Sequence, residues 1–288
     1  EILGTSVQIE AAIAYGDSDA TDAHSTLTMG ILRENKIGEV PHGELFQQGI
    51  AVGCSHPADD LSGLKLYVIP HWAYFDPAWV APLQTFVEDG GVLVVGARTA
   101  TRDVNNNVVA ETIPGCLRDL CGITVESYGK QNNTTARPLA FAIDGGEPVL
   151  SEHWYEEIKA DAGTQVVAQW QTRHLKGTPA VTRHAVGKGA VYYVATYLNK
   201  TTWQCIQPVL LEDAQLKPQL PGCPAGVEVT QRRDAEKSLW FLINHTDGPV
   251  TIDDLPHGDE LISEAPCTGT LHLEANDVAI VRQARTGG

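Results

Sequence analysis

The sequence predicts an α/β domain built on a parallel sheet, followed by a small antiparallel β-domain. A strand–helix–strand unit at residues 64–95 indicates the first domain, because parallel strands joined by a helix form a sheet with helices on its faces. A series of short strands after residue 226 is typical of an antiparallel domain. The stretch KPQLPGCPAG at 217–226 is rich in proline and glycine and predicts a boundary. We therefore expect domains at residues 1–214 and 218–288.

The strand–helix–strand unit has clear end signals. A strand over 64–69 stops at a proline, and Asp76 can cap a helix whose first residue is Pro77, since proline lacks only a donor that is unpaired there. Two glycines at 90 and 91 end this helix, because the left-handed backbone costs glycine little. The continuous apolar run at 92–95 is typical of a strand covered on both faces.

The remaining elements are predicted from hydrophobic periodicity and from turn residues. In the first domain we expect helices near 23–34, 114–121 and 201–211, and strands near 7–13, 50–52, 123–125, 139–142, 165–170, 181–183 and 190–195. The last two of these strands flank Gly187-Lys188-Gly189, which predicts a hairpin. In the second domain we expect strands near 227–232, 238–244, 250–252, 270–273 and 278–282.

The composition is that of a folded chain with a strong negative charge. The 288 residues are 43% hydrophobic and 19% charged, which is ordinary for a protein with a buried core. The 36 acidic and 20 basic residues give a formal net charge of −16, which repels phosphate backbones and anionic lipid. No apolar run approaches the ~20 residues that span a bilayer. We therefore expect neither nucleic acid nor a membrane as partner.

Six cysteines, at positions 54, 116, 121, 205, 223 and 267, have scattered spacings without a CxxC pair. Structural zinc sites usually use tighter pairs, so we expect no metal and no other cofactor. We expect free thiols in the cytoplasm, with disulfides as the alternative in an exported protein. The chain begins at Glu1 and its one methionine is Met29, so we interpret it as a processed product or part of a longer protein.

Motifs that carry catalysis are missing from the sequence. It has no P-loop, dinucleotide-binding motif, HExxH or GxSxG. Adjacent acids occur at 59–60, 156–157 and 253–254, but a glycosidase needs two carboxyls that face each other ~5 to 9 Å apart. Sequence neighbours diverge, so we expect these acids to be solvated. Cys54 and His56 lack the elbow of a catalytic cysteine. We therefore predict no catalytic residue.

Polar and aromatic side chains follow the two strands of the strand–helix–strand unit. The carboxyl ends of parallel strands are where open α/β sheets bind ligands, and clustered aromatics are enriched at interfaces. We therefore predict an interface or a ligand contact at this sheet edge, with ordinary loop and core packing as the alternative. The candidate residues are His71, Trp72, Tyr74, Trp79, Arg98, Arg102 and Asp103.

Three stretches together resemble the middle domain of glycoside hydrolase family 42 β-galactosidases. They are DLSGLKLYVIPHWAYFDPAWVAPLQTFVEDGGVLVVGARTATRDVNNNVV at 60–109, PGCLRDLCGITVESY at 114–128 and GTPAVTRHAVGKGAVYYVAT at 177–196. The region after residue 217 is similar to the family's C-terminal domain in position and size. The resemblance runs from about Val7 to Arg282.

The resemblance implies a glutamine-amidotransferase-like (flavodoxin-like) fold for residues 1–214 and a role in forming a homotrimer. In that family a pair of glutamates in an N-terminal TIM barrel hydrolyses terminal β-D-galactosides with retention. This sequence does not contain the barrel. We therefore expect the catalytic barrel of a parent enzyme as a partner, and no activity from this chain alone.

Two alternatives remain at this point. A class I amidotransferase carries its cysteine in an elbow after the strand that matches 92–95, but this chain has Gly96-Ala97-Arg98-Thr99-Ala100 there. Without a thiolate no glutamyl thioester can form, so only a degenerate amidotransferase-like domain is compatible. The other alternative is a carbohydrate-binding module, although the β-domain offers few aromatic residues to stack on a sugar.

Overall fold

The computed structural model describes residues 2–17, 34–131 and 138–285, with the backbone alone at 34–37. The predicted helix at 23–34 lies outside the described residues except for Glu34. The chain forms two compact units. One consists of residues 11–44 and 53–215, and the other of residues 1–10, 45–52 and 216–288. No helix in the described part of the chain is long and apolar enough to cross a bilayer.

The larger unit is rich in β-structure. Its helices are α1 (Glu34–Gln47, which continues into the other unit), α2 (Val80–Glu88), α3 (Arg118–Cys121) and α4 (Lys200–Asp213), with 3-10 turns at Pro77–Trp79, Gly115–Leu117 and Arg173–Leu175. Its strands are β2 (Ala11–Ala14), β3 (Val52–Ser55), β4 (Leu66–Ile69), β5 (Val92–Gly96), β6 (Ile123–Gln131), β7 (Ala140–Ile143), β8 (Val149–Leu150), β9 (His153–Ala160), β10 (Gln165–Trp170), β11 (Pro179–Val186) and β12 (Gly189–Val194).

The main sheet has nine strands in the order β3-β2-β4-β5-β12-β11-β10-β7-β8. Strands β2, β4, β5 and β12 run parallel, with Val94 opposite both Val68 and Tyr192. From β12 onward the pairing is antiparallel, because the predicted hairpin reverses the chain at Gly187. The sheet is therefore mixed, and the prediction of a parallel sheet is wrong for its antiparallel half.

The strand–helix–strand unit is confirmed in detail. The Asp76 carboxylate accepts a hydrogen bond from the Ala78 amide at 2.9 Å, and Pro77 opens the 3-10 turn that leads into α2. All residues of β4 and β5 are buried, as a strand covered on both faces requires. Gly91 has no room for a side chain, since an added Cβ would overlap the ring of Phe86.

Several elements differ from the prediction, and strands β8 and β9 were not predicted at all. Helix α1 was not predicted, and it contains Pro41 and two glycines, which disfavour a helix. The predicted strand at 7–13 is two strands. The first, β1 (Ser6–Val7), belongs to the sheet of the smaller unit, whereas β2 joins the main sheet. A single alternating run can thus serve two sheets, and its sequence does not indicate where the chain changes partner.

The smaller unit is an antiparallel β-domain, as predicted. It consists of β1, β13 (Val227–Arg233), β14 (Lys237–Asn244), β15 (Val250–Ile252), β16 (Gly258–Glu260), β17 (Ala265–Cys267), β18 (Leu271–Leu273) and β19 (Val278–Ala284). Six of the strands form one sheet in the order β1-β13-β14-β19-β16-β17, and β15 pairs with β18. Leu242, Ile252 and Val281 lie in its core. Glu260 is also buried there, and its carboxylate accepts hydrogen bonds from the amides of Ile262, Ser263 and Ile280.

Candidate functional site at the carboxyl ends of the parallel strands

The loops that follow β4 and β5 lie side by side because the two strands are parallel neighbours. The Ala100 amide donates to the Trp72 carbonyl at 2.8 Å, and the Arg102 amide donates to the Ala73 carbonyl at 2.8 Å. The Thr99 hydroxyl accepts from the Trp72 amide at 3.2 Å. These bonds tie the two loops together, so the candidate residues that follow the two strands are indeed brought to one edge of the sheet.

The aromatic candidates pack inside the unit. The ring of Trp79 lies 5.9 Å from those of Trp72 and Tyr74 and 5.1 Å from that of Phe75, in edge-on arrangements that aromatic pairs prefer. His71 is also buried, and its ring meets the Tyr197 ring edge-on at 4.0 Å. These side chains form the base on which the two loops are built.

Glu156 is a buried carboxyl group beneath the loop after β5. It lies on β9, and its Oε1 accepts from the Arg98 amide at 2.9 Å and from Trp154 Nε1 at 3.2 Å. Its Oε2 accepts from the Tyr193 hydroxyl at 2.7 Å. Burial raises the pKa of Glu156, and these three hydrogen bonds oppose that rise. The expectation that Glu156 is solvated is wrong, because β9 turns this side chain inward between Trp154 and Ile158.

Arg98 sits directly above this carboxyl group in a left-handed conformation, with φ of 67°. Only 8% of the residue is exposed. Its guanidinium carbon lies 4.6 Å from the centre of the Trp154 ring, a cation–π contact. Its Nη1 is buried and has no hydrogen-bond partner among residues 2–17, 34–131 and 138–285. Arg98 therefore buries a positive charge whose donors are not fully satisfied.

A cavity of about 160 Å³ adjoins this arginine, and we call it the Arg98 cavity. Arg98 and Arg102 give it positive charge, while Tyr128 and Trp154 form a stacked aromatic wall with ring centres 5.1 Å apart. The residues that line it are Arg98, Thr101, Arg102, Val108, Ile113, Tyr128, Trp154 and Glu156.

The loop at 102–109 is held in shape from within. Asp103 accepts hydrogen bonds from the amides of Asn105 and Asn107 at 2.9 and 2.8 Å, and the bond from the Asn107 amide is the main reason that the pKa of Asp103 is lowered. Arg102 Nη1 donates to the Asn106 carbonyl at 2.7 Å. Val104 and Val108 remain exposed on the outside of this loop.

The seven predicted residues thus occupy two layers. Trp72, Tyr74, Trp79 and His71 lie in the interior, whereas Arg98, Arg102 and Asp103 belong to the loop around the cavity. The sequence analysis did not identify Glu156 or the aromatic wall. Strands β6 and β9 supply these residues, and both strands lie more than 20 positions after Arg98 in the chain. Within the described ranges, no three His, Cys, Asp or Glu side chains lie together as a metal site would need.

The fold of this chain is also found in solved structures of known enzymes. The fold of this chain matches the crystal structure of a β-galactosidase from Bacillus circulans sp. alkalophilus, with a TM-score of 0.89 and 24% identity over 98% of this chain and 42% of that one. It also matches a cold-adapted β-galactosidase from Rahnella sp. R3, with a TM-score of 0.84, 23% identity and the same coverage. The fold is therefore that found in part of these enzymes.

The family follows from the sequence match. Residues 33–217 match the family model for the β-galactosidase trimerisation domain, and residues 226–283 match that for the β-galactosidase C-terminal domain. The chain belongs to the glycoside hydrolase family 42 β-galactosidases, of which it comprises the trimerisation and C-terminal domains.

Relatives of known activity are longer than this chain. It is 28% identical to the β-galactosidase BgaB of Geobacillus sp. (strain Y412MC61) over 100% of this chain and 43% of that protein. It is 28% identical to the β-galactosidase LacZ of Heyndrickxia coagulans over 83% of this chain and 35% of that protein. The chain thus spans less than half the length of these relatives.

Proposed function

We propose that this chain is the non-catalytic assembly portion of a β-galactosidase and that it joins subunits into a homotrimer. The match of residues 33–217 to a trimerisation domain carries this proposal. The parent enzyme would hydrolyse terminal β-D-galactosides with retention in a separate catalytic TIM barrel. We assign assembly to the α/β domain at 1–214, with 218–288 as an appended β-domain.

We further propose that the α/β domain has a degenerate amidotransferase-like architecture. Two features support this: the parallel strands β2, β4, β5 and β12, and the left-handed backbone directly after β5. That position is occupied by Arg98, which cannot act as a nucleophile because its guanidinium stays protonated. The loop after β5 would therefore keep the backbone shape of an amidotransferase elbow without its nucleophile.

The cytoplasm is the location that we propose. The support is the cysteine chemistry, since all six cysteines are free thiols. Cys121 and Cys267 are buried, and burial raises the pKa of Cys116 to about 11. Thiols of this kind are poorly reactive and are typical of a reducing compartment.

Loss of assembly on changing one exposed residue tests the proposed interface. Val108 is 67% exposed at the rim of the Arg98 cavity, so Val108→Asp should leave the fold intact and place a charge in the contact between subunits. We expect the variant to sediment as a single copy where the wild-type chain forms a trimer. The matched control is Ile262→Asp, which changes a 58% exposed residue of the β-domain. Equal dissociation of both variants would refute an interface at this loop.

Hydrolysis of a chromogenic β-galactoside tests the absence of catalysis. We expect no turnover by the purified chain above a buffer blank, because a glycosidase needs a facing pair of carboxyl groups. Glu156, the buried acid beneath the loop after β5, is hydrogen-bonded on both of its oxygens. Turnover that co-purifies with the chain and is lost in Glu156→Gln would overturn the non-catalytic assignment.

A further inference from the structure

We propose that the Arg98 cavity is a binding site for a carboxylate group. Arg98 and Arg102 both line the cavity, and Arg98 Nη1, which is itself enclosed, has no acceptor in the described part of the chain. A buried guanidinium is stable only when its charge and its donors are paired. Carboxylate is the anion whose two oxygens match the planar fork of an arginine.

Glu156 does not fill this role, although it is the nearest acid. Its Oε1 is taken by the Arg98 main-chain amide and the Trp154 indole, and its Oε2 by the Tyr193 hydroxyl. All three donors are neutral groups, and they fix the carboxyl group beneath the loop. The guanidinium of Arg98 lies over the face of Trp154 and close to Tyr197 and Glu156, and its positive charge opposes the rise in the pKa of both groups. Its Nη1 still has no hydrogen-bond acceptor in the described part of the chain.

The second arginine adds charge at the same cavity. Arg102 uses Nη1 for the Asn106 carbonyl and lines the cavity as well. Two arginine residues thus line a small space in a chain whose net charge is −16. Because the surroundings are acidic, this local positive charge selects for an anion at one point on the surface.

The remaining walls favour an organic acid over an inorganic ion. Val108, Ile113, Tyr128 and Trp154 give the cavity an apolar side, which would leave the outer oxygens of a phosphate or sulfate unsatisfied. The cavity is small, with a volume of about 160 Å³. That space suits a carboxylate with a short carbon chain.

A free organic acid and an acidic side chain from a second copy of this chain share this chemistry. Tyr128 is 56% exposed and Val108 is 67% exposed, so the rim is open to both. The proposal does not depend on the proposed assembly function. A chain that binds acetate as a monomer would refute assembly and leave this inference intact.

The test is a titration of the purified chain with acetate and with acetamide, its uncharged analogue of the same shape, followed by ligand NMR line broadening. We expect acetate to bind and acetamide to bind at least tenfold more weakly. Arg98→Met should weaken acetate binding at least tenfold. The matched control is Arg173→Met, because Arg173 is also left-handed, with φ of 59°, but is exposed on another loop. Arg102→Met serves as a second variant at the cavity should Arg98→Met fail to fold.

The outcomes distinguish a free organic acid from an acidic side chain of a second copy. Acetate binding that depends on Arg98 or Arg102 indicates a free organic acid. Absence of acetate binding, together with self-association weakened at least tenfold by a cavity variant and unchanged in Arg173→Met, indicates an acidic side chain of a second copy. The proposal is overturned if acetate and acetamide bind alike, or if neither acetate binding nor self-association responds to the cavity variants.

Discussion

Glu156 connects several parts of the structure near the carboxyl ends of the parallel strands. Its carboxyl group is buried, it fixes the Arg98 amide, and it links β9 to β12 through the Tyr193 hydroxyl. Burial raises its pKa, while its three hydrogen bonds and the positive charge of Arg98 oppose that rise.

We expect Glu156→Gln to change the free energy of unfolding at neutral pH by no more than about 1 kcal/mol. An amide has the shape of the protonated acid and can keep partners at both of its ends. Glu156→Ala should cost about 3 kcal/mol or more, because the Arg98 amide, the Trp154 indole and the Tyr193 hydroxyl all lose their acceptor. Urea denaturation measures both values.

The same pair of proteins gives a pH test. The stability that Glu156 contributes is fully present below the ordinary pKa of glutamate and is lost as the pH rises toward its raised pKa in the folded chain. Wild-type stability should therefore fall relative to that of Glu156→Gln as the pH increases through this window. Parallel pH profiles for the two proteins would contradict a raised pKa.

The candidate residues were only partly predictable from sequence. His71 and Arg98 could be placed at one sheet edge because each follows a parallel strand, and the strand signals were strong. Glu156 could not be found this way, because it stands beside Glu157 and a pair of acids reads as solvated surface. Its burial depends on the inward side of β9, a pattern that appears only once the pairing with β6 is known.

At the scale of elements, close contact between backbones fixes how the hairpin joins the sheet. Gly189 starts β12, and a Cβ added there would overlap the carbonyl oxygens of Val87 and Gly91. Those atoms belong to the end of α2 and the turn before β5, so they cannot move without shifting the strand–helix–strand unit. The glycine-rich hairpin is thus needed for packing as well as for turning.

We expect Gly189→Ala to destabilise the chain by about 3 kcal/mol or more, since the overlap is with backbone rather than with a flexible side chain. Gly43→Ala is the control, because Gly43 lies in α1 with open space around its Cβ position. That change should be neutral or should stabilise by up to about 1 kcal/mol through helix propensity. Thermal unfolding compares them, and similar melting temperatures would contradict the overlap.

The elements that were predicted carry local signals, and those that were missed depend on distant partners. The capped helix after Asp76 and the apolar run of β5 need no tertiary information. Helix α1 forms although its glycines and proline disfavour a helix, so contacts outside the helix must stabilise it. The antiparallel half of the sheet begins at the hairpin between β11 and β12, which a local pattern predicts, and continues through the pairing of β11 with β10, which no local pattern specifies.

At the scale of the whole molecule, the proposed role of this chain is assembly rather than catalysis. Each copy carries a net charge of −16, so self-association must overcome repulsion between copies. The exposed Val108 and Tyr128 at the Arg98 cavity, with the exposed Val104 on the loop at 102–109, offer the kind of surface that can do so. Assembly is therefore the property that most directly separates this account from its alternatives.

The molar mass of the purified chain by light scattering, over a range of concentrations, tests the central claim. One chain has a mass of 31.0 kDa, and we expect a species of three times that mass, because residues 33–217 match the trimerisation domain. A mass of 31.0 kDa at every concentration would contradict the claim that these residues suffice for assembly.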